Sequence, residues 1–486
     1  MPPFRRSASV LAFAAVLPAL AQSGAQSGDL AERLYRSGER AYQAKSYQEA
    51  MDTWTQLAQT APRSDYTPQA LLQMAQYQAG IAGKPEAALP LLDKLKSDYL
   101  GSRWAAPGLL LRGQILAAKA KNPGELKEAV AEFNRVLDLF PASAAAPQAL
   151  VELGRAALAS GDANRALGCF TEAYRAHPDA AVAPAAMLEA AQAMDARGDL
   201  EGALRLLERV KLAAPDSDAA KEAAWRITTL VRLRLLRPGF KVEGAWPKGQ
   251  LKWLHTPTLL AMDGTGRVLV YQKDAGAVFS IEGTAAKPMD LQGSDAVAII
   301  AGTGGQPWLL TDSGLVKPGA TAPAPLGGLT HIKGTALDRW GRLWIADSKT
   351  PGFTLQGPAS TVGGPILDAL VATRDGLAGA TDESRKLLLF DANGKVRKEI
   401  PYGMGLGAPY KECVALAADP LGDLAVLTSG GDFGEGVAVY GPDGALLRQA
   451  RFKDLGLNGR FVSLLIDRAG GILLADRRND TLIRLD

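Results

Sequence analysis

Apolar positions along the first half of the chain fall three and four residues apart, the spacing of one helix face, in stretches separated by short polar or glycine turns. The first pair covers residues 30–45 and 48–62, joined at Ser46-Tyr47. Later turns fall at Gly83-Lys84-Pro85, Gly161-Asp162 and Gly198-Asp199. The pattern repeats every 37 residues with four marks in register: a small residue, an Ala, a large apolar residue and a terminator. These read Gly38, Ala50, Trp54, Pro62, then Ala75, Ala87, Leu91, Tyr99. Gly154, Ala166, Phe170, Pro178 and Ala191, Ala203, Leu207, Pro215 follow. A copy between them, Gly113, Ala129, Phe133, Pro141, carries a four-residue insertion near residues 121–124. Small residues at the first two marks let paired helices approach closely, the large residue fills the groove, and the proline stops the second helix. Pro68, Pro107, Pro147 and Pro184 open the first helix of later repeats, where a missing N–H costs nothing. A last helix from Asp218 to Leu236 is expected to cover the open end of the stack. Its arginines, Arg226, Arg232, Arg234 and Arg237, read most simply as complements to a helix C-terminus.

After Pro238 the helical period stops and short β-branched runs alternate with Gly- and Asp-bearing turns. Six glycines, Gly266, Gly305, Gly341, Gly376, Gly422 and Gly470, each sit between two apolar runs and mark six strand–turn–strand units. Units of roughly 40 residues with up to four strands predict a six-bladed β-propeller. The last unit runs out of chain after three strands. Residues 240–246 are expected to supply the fourth and close the ring, removing the exposed edges of an open sheet.

The expected fold class is therefore multidomain α plus all-β, an α-helical solenoid over residues 29–237 followed by a propeller over 240–486. The small–Ala–large–Pro signature, with helix openings such as PRSDYTPQAL and PASAAAPQAL, resembles the tetratricopeptide repeat. These openings look like the variant found in bacterial envelope proteins such as the Tol–Pal coordinators and outer-membrane assembly lipoproteins. RLWIADSKTPGFTL and GILLADRRNDTLIRL resemble the NHL repeat of six-bladed propellers. The first resemblance implies a groove lined by the first helix of each pair, which places Tyr35, Glu39, Tyr42, Gln69, Gln76, Gln148, Arg155, Gln192 and Asp195 on a protein-binding face. The second implies a binding module, although related six-bladed folds include lactonases and lyases.

Composition narrows the function further. Hydrophobic residues make up 47% and charged residues 22% of 486, enough for sizeable cores. The net charge is +3, of which Arg5 and Arg6 contribute two, so the basic excess of a nucleic-acid binder is missing. Those arginines, the apolar run over residues 8–20 and the small residues around Ala21 read as a signal peptide over residues 1–21, implying a periplasmic or secreted protein. No later run is apolar enough to span a bilayer, which takes about 20 residues. The two cysteines, Cys169 and Cys413, lie in different halves and are expected to remain thiols.

Candidate chemistry is sparse. Six residues after the anchoring glycines lie Gln272, Thr311, Asp347, Asp382, Thr428 and Asp476. Three carboxylates there suggest Ca²⁺, but ring symmetry spreads such positions apart, and short polar residues at strand ends ordinarily bond the adjacent turn. His177, His255 and His331 are isolated, and neither a nucleophile elbow nor a phosphate loop occurs. These readings predict a non-enzymatic scaffold without cofactor or metal, whose partners are envelope proteins and, at the propeller, a protein or a glycan. The alternative is a metal-assisted hydrolase or lyase in the propeller, with the repeats recruiting its substrate.

Overall fold

The computed structural model describes residues 16–235, 239–247, 251–263, 265–301, 306–320, 322–326, 329, 331–355 and 360–486, with side chains 16–29, 301, 355 and 360 left aside. Most of the expected signal peptide lies outside the described residues, as do Arg237 and Gly305. The chain forms two compact units, one ending at Ala186 and the other running from Met187 to Asp486 with two short loop segments, 121–123 and 159–164.

The helical series comprises α1 (Val16–Gln43), α2 (Tyr47–Thr60), α3 (Tyr66–Ala79), α4 (Pro85–Asp98), α5 (Ala105–Lys119), α6 (Lys127–Leu139), α7 (Ala146–Ala159), α8 (Ala163–Ala176), α9 (Ala183–Ala196), α10 (Leu200–Ala213) and α11 (Asp218–Leu230). The pairing follows the marks. A Cβ on Gly38, Gly113 or Gly154 would overlap the ring of Trp54, Phe133 or Phe170, and all three rings are fully buried. Where the first mark is alanine the partner shrinks to leucine, as in Ala75 with Leu92. The insertion at 121–124 becomes a 3-10 turn, Pro123–Leu126, ahead of α6.

One register differs from expectation. In the second repeat Ala88 and Leu92 are buried, not Ala87 and Leu91. The loop there is longer and the second helix starts one residue later: Pro85 opens α4 ten residues after Ala75, whereas Tyr47 opens α2 nine after Gly38. Tyr99, standing where other repeats have proline, donates its hydroxyl to Pro62 O of the preceding repeat at 2.6 Å.

The second unit carries β1 (Val242–Ala245) and then six sheets. Blade 1 is β2 (Pro257–Met262), β3 (Val268–Gln272), β4 (Ala277–Glu282) and β5 (Ala285–Gln292). Blade 2 has three strands among the described residues, β6 (Ala296–Ala301), β7 (Pro307–Thr311) and β8 (Gly314–Val316). Blade 3 is β9 (Ile332–Leu337), β10 (Leu343–Asp347), β11 (Thr350–Leu355) and β12 (Ser360–Val362). Blade 4 is β13 (Ala369–Thr373), β14 (Gly376–Thr381), β15 (Lys386–Phe390) and β16 (Val396–Pro401). Blade 5 is β17 (Glu412–Ala418), β18 (Leu424–Ser429), β19 (Gly436–Tyr440) and β20 (Leu446–Arg451). Blade 6 is β21 (Phe461–Ile466), β22 (Ile472–Asp476) and β23 (Thr481–Leu485), and β1 completes it through the antiparallel pairs Val242↔Leu485 and Ala245↔Ile483. Each first strand packs against the next around the ring, and β21 meets β2. The ring is a six-bladed propeller closed by its own first strand.

The turns between first and second strands share one device. Asp263, Asp338, Asp419 and Asp467 each accept two backbone N–H groups on Oδ1, from residues two and four ahead. A glycine with φ between 69° and 92° (Gly266, Gly341, Gly422, Gly470) completes each turn. Gly376 departs from this set. It is the first residue of β14, because blade 4 turns in two residues at Arg374-Asp375.

Candidate interaction surfaces

The residues expected on the first-helix face divide into two groups. Gln69, Gln148, Glu39, Tyr42 and Gln192 are half-buried, and Gln76 and Arg155 are exposed. Gln148 and Gln114 both donate to Glu152 Oε1, at 2.9 and 3.1 Å, which links α5 to α7, while Arg155 Nη1 lies 3.4 Å from the same oxygen. Tyr42 packs edge-on against Tyr47 and Tyr77. Two residues do not belong on such a face. Tyr35 is only 4% exposed, stacked between Trp54 and Tyr66, and burial pushes its hydroxyl up to about 12. Asp195 is buried for a different reason: it is an ion-pair partner.

Its setting shows what the arginines of the last helix do. After α11 the chain passes through one π-turn, Val231–Leu235, and Arg234 leaves it 11% exposed to pair with Asp195 and, at 3.1 Å, with Asp423. Arg374 Nη1 holds the other oxygen of Asp195 at 3.0 Å. Thr229 donates to Arg468 O at 2.7 Å, and Arg232 pairs with Asp486 at 3.1 Å. Asp195, Thr229 and Arg234 therefore bond residues at the propeller end that carries the first-to-second-strand turns. A reading of these arginines as dipole complements does not hold for Arg232 and Arg234.

The reason lies in the turn device. In blades 1 and 3 the residue four after the aspartate is Arg267 or Arg342, whose Nε returns to the second carboxylate oxygen at 2.8 or 2.7 Å. In blade 6 that position is Gly471, and Arg484 fills the space, its Nε 2.6 Å from Asp467 Oδ2. In blade 5 the same position holds another acid, Asp423. Asp419 Oδ2 is left buried with no partner, and the cation comes from Arg234, far away in sequence.

Two buried carboxylates side by side have a pH signature. Burial raises both Asp419 and Asp423, the latter to about 6, and Asp419 is raised further by its neighbour's charge. Arg234 and Arg374 oppose the shift at Asp423, and Asp195 adds to it. An acid whose folded pKa is raised holds more protons folded than unfolded. Its stabilising contribution is thus complete below the ordinary aspartate range and is lost as pH rises through about 6. Between pH 5 and pH 7 the wild type is expected to lose more thermal stability than Asp423→Asn, a comparison that scanning calorimetry at the two pH values makes directly.

At the opposite end of the ring, the residues ending second strands bond the adjacent loops. Gln272 accepts from His255 N at 3.0 Å, and Asp347 from His331 N and Lys349 N at 3.0 and 2.7 Å. Asp476 accepts from Arg460 N and Arg478 N at 2.9 and 3.0 Å. The expectation that these side chains hold turns is met. Asp382 is displaced, one residue beyond β14, because its anchoring glycine is a strand residue. It accepts from Tyr402 Oη at 2.7 Å and from Cys413 N of the next blade. Cys413 is a buried thiol whose pKa burial raises strongly.

The first strands enclose a tunnel of about 380 Å³ whose lining residues are mostly apolar apart from Lys333, Thr335, Asp368 and Ser463. Beside its mouth a cavity of about 720 Å³ opens between blades 5 and 6, walled by Val414, Phe452 and Phe461 and by Arg460, Arg477 and Arg478. No sequence reading marked this cavity. Its arginines come from two loops joined by the Asp476 hydrogen bonds, by Arg477 N–H to Arg460 O at 2.9 Å and by the Asn479 amide to Asn458 O at 3.1 Å.

The fold defines the class: tetratricopeptide repeats followed by a six-bladed β-propeller. The tetratricopeptide-repeat family model matches residues 157–224. No curated protein matches the chain. Among solved structures, the propeller half is similar to virginiamycin B lyase from Staphylococcus aureus, with 13% identity over 51% of this chain and 99% of that one, at a TM-score of 0.38. The helical half is similar to MamA, with 16% identity over 39% and 93% of the two chains and a TM-score of 0.31. It is also similar to the type IV pilus biogenesis factor PilW, with 18% identity over 40% and 82% and a TM-score of 0.32. Among the described residues no helix is long and apolar enough to cross a membrane.

Proposed function

We propose that the chain is an exported, non-catalytic adaptor of the bacterial cell envelope, with an NHL-like propeller. The first-helix face of the repeats takes an extended protein segment, and the propeller takes a second envelope protein or a glycan. Holding two components on one chain raises their effective concentration for each other. The observation that carries this reading is the amide-rich first-helix row of Gln76, Gln114, Gln148, Glu152 and Arg155. It offers donors and acceptors suited to main-chain groups, not a greasy groove suited to an amphipathic helix. Export is supported by the basic, apolar and small-residue order of residues 1–21.

The test is in-cell crosslinking of the full-length protein against a Gln76→Ala, Gln148→Ala, Arg155→Ala variant. The variant is expected to lose one reproducible partner and retain those held by the propeller. An unchanged set of crosslinked proteins, with the variant folded and exported, would sink the assignment of this face.

A further inference from the structure

We propose that the cavity between blades 5 and 6 is a binding site for an oxyanion, a carboxylate or a phosphate ester, carried on an apolar group. Three arginines line it, Arg460 ahead of β21 and Arg477 and Arg478 after β22. Four other propeller arginines are spent on carboxylates: Arg267 on Asp263, Arg342 on Asp338, Arg374 on Asp195 and Arg484 on Asp467. Among the described residues, no carboxylate lies within ion-pair distance of Arg460, Arg477 or Arg478. The nearest polar side-chain contact is Asn458 Oδ1, 3.4 Å from Arg478 Nη1. Three cations share a wall with a single carboxylate, Glu435, which pairs with none of them, and a bound anion relieves the remaining repulsion.

The arrangement is also held in place. Asp476, 2% exposed, fixes both loops through the N–H groups of Arg460, Arg478 and Asn479, and Gly459 lies so close that a Cβ would overlap its carboxylate. The remaining wall is apolar, with the Phe452 and Phe461 rings 4.4 Å apart and Val414 42% exposed. A volume of about 720 Å³ falls in the range of small-ligand sites. Guanidinium forks suit carboxylate and phosphate oxygens, and the aromatic wall suits an apolar body attached to them. The cavity also opens at the end of the ring opposite the turns on which Thr229 and Arg234 sit. The site is independent of the adaptor reading, since a small anion can bind whether or not a protein partner does.

Titration of the full-length protein with 4-phenylbutyrate, phenyl phosphate and the neutral 4-phenylbutan-1-ol, read by ligand-observed NMR, tests the site. The two anions are expected to bind and the alcohol not, with affinity falling as salt is raised. A preference between the anions identifies the oxyanion class. Arg460→Gln or Arg477→Gln is expected to weaken anion binding roughly tenfold or more each, the scale of a lost charge-assisted hydrogen bond. Glu435→Gln, which removes the one carboxylate lining the same cavity, is expected to strengthen it, a gain that misfolding does not imitate. Equal binding of the alcohol, no binding of either anion, or unchanged affinity in all three variants would overturn the proposal.

Discussion

Replacing Arg234 by alanine is expected to cost the propeller-bearing unit about 3–5 kcal/mol, the range for removing one partner of a buried ion pair. The loss arises less from the bonds removed than from what they leave behind. Asp423 is fully buried and Asp195 nearly so, and Asp419 already has one oxygen without a partner. Without the guanidinium, Arg374 alone faces Asp195, and the blade 5 carboxylates must take up protons or draw in water. A second substitution tests that account. Asp423→Asn is expected to recover part of the stability lost in Arg234→Ala, because it removes one stranded charge, so the double-mutant cycle is non-additive. Two units in one chain make a single global transition a poor readout. Hydrogen exchange at β17 and β18, the strands flanking Asp419 and Asp423, reports the effect locally. Additive losses, or unchanged protection of those strands in Arg234→Ala, would contradict the account.

The dependence of blade 5 on Arg234 also shows where sequence reading stops. Repeat architecture is legible because it rests on local periodicity. The marks at Gly38 and Trp54, or at Gly154 and Phe170, lie on adjacent helices, and their spacing survives any change elsewhere. The strand–turn–strand units are legible for the same reason, as is the closure by residues 240–246, which follows from counting strands. A shift of one residue is less visible. The longer α3–α4 loop moves the buried pair to Ala88 and Leu92, and the two-residue turn at Arg374-Asp375 moves Gly376 into a strand and Asp382 past one. Least visible are contacts between residues far apart in sequence. Arg234 and Asp195 each read as exposed polar residues in their own helices, and only the substitution of Asp423 for an arginine in the turn pattern hints at a missing cation. That hint was in the sequence: LDRWGR and MDGTGR end on arginine where ADPLGD ends on aspartate. The cavity arginines carry no such mark, because Arg460 and Arg477 belong to separate loops.

In the helical unit, Phe170→Ala is expected to be among the most damaging single changes, at about 3–5 kcal/mol for a fully buried aromatic ring. The more informative experiment exploits the variation between repeats. Gly154 leaves no room for a Cβ against the Phe170 ring, so Gly154→Ala overpacks the helix pair and is expected to cost about 1–3 kcal/mol. Phe170→Leu leaves a cavity in the same place and is expected to destabilise as well. Together they produce the alanine–leucine pairing that the second repeat already uses at Ala75 and Leu92. The double variant is therefore expected to be more stable than the sum of the two losses allows, because the added methyl occupies space that the ring vacated. Two independent defects would simply add, and chemical denaturation of the four proteins measures the difference. If the losses add, the small and large marks do not compensate each other across the helix pair. The repeat would then be held by its remaining contacts, such as Ala166 and Ala173 on α8, and the covariation of glycine with aromatic residues across Gly38, Gly113 and Gly154 would lose its packing explanation.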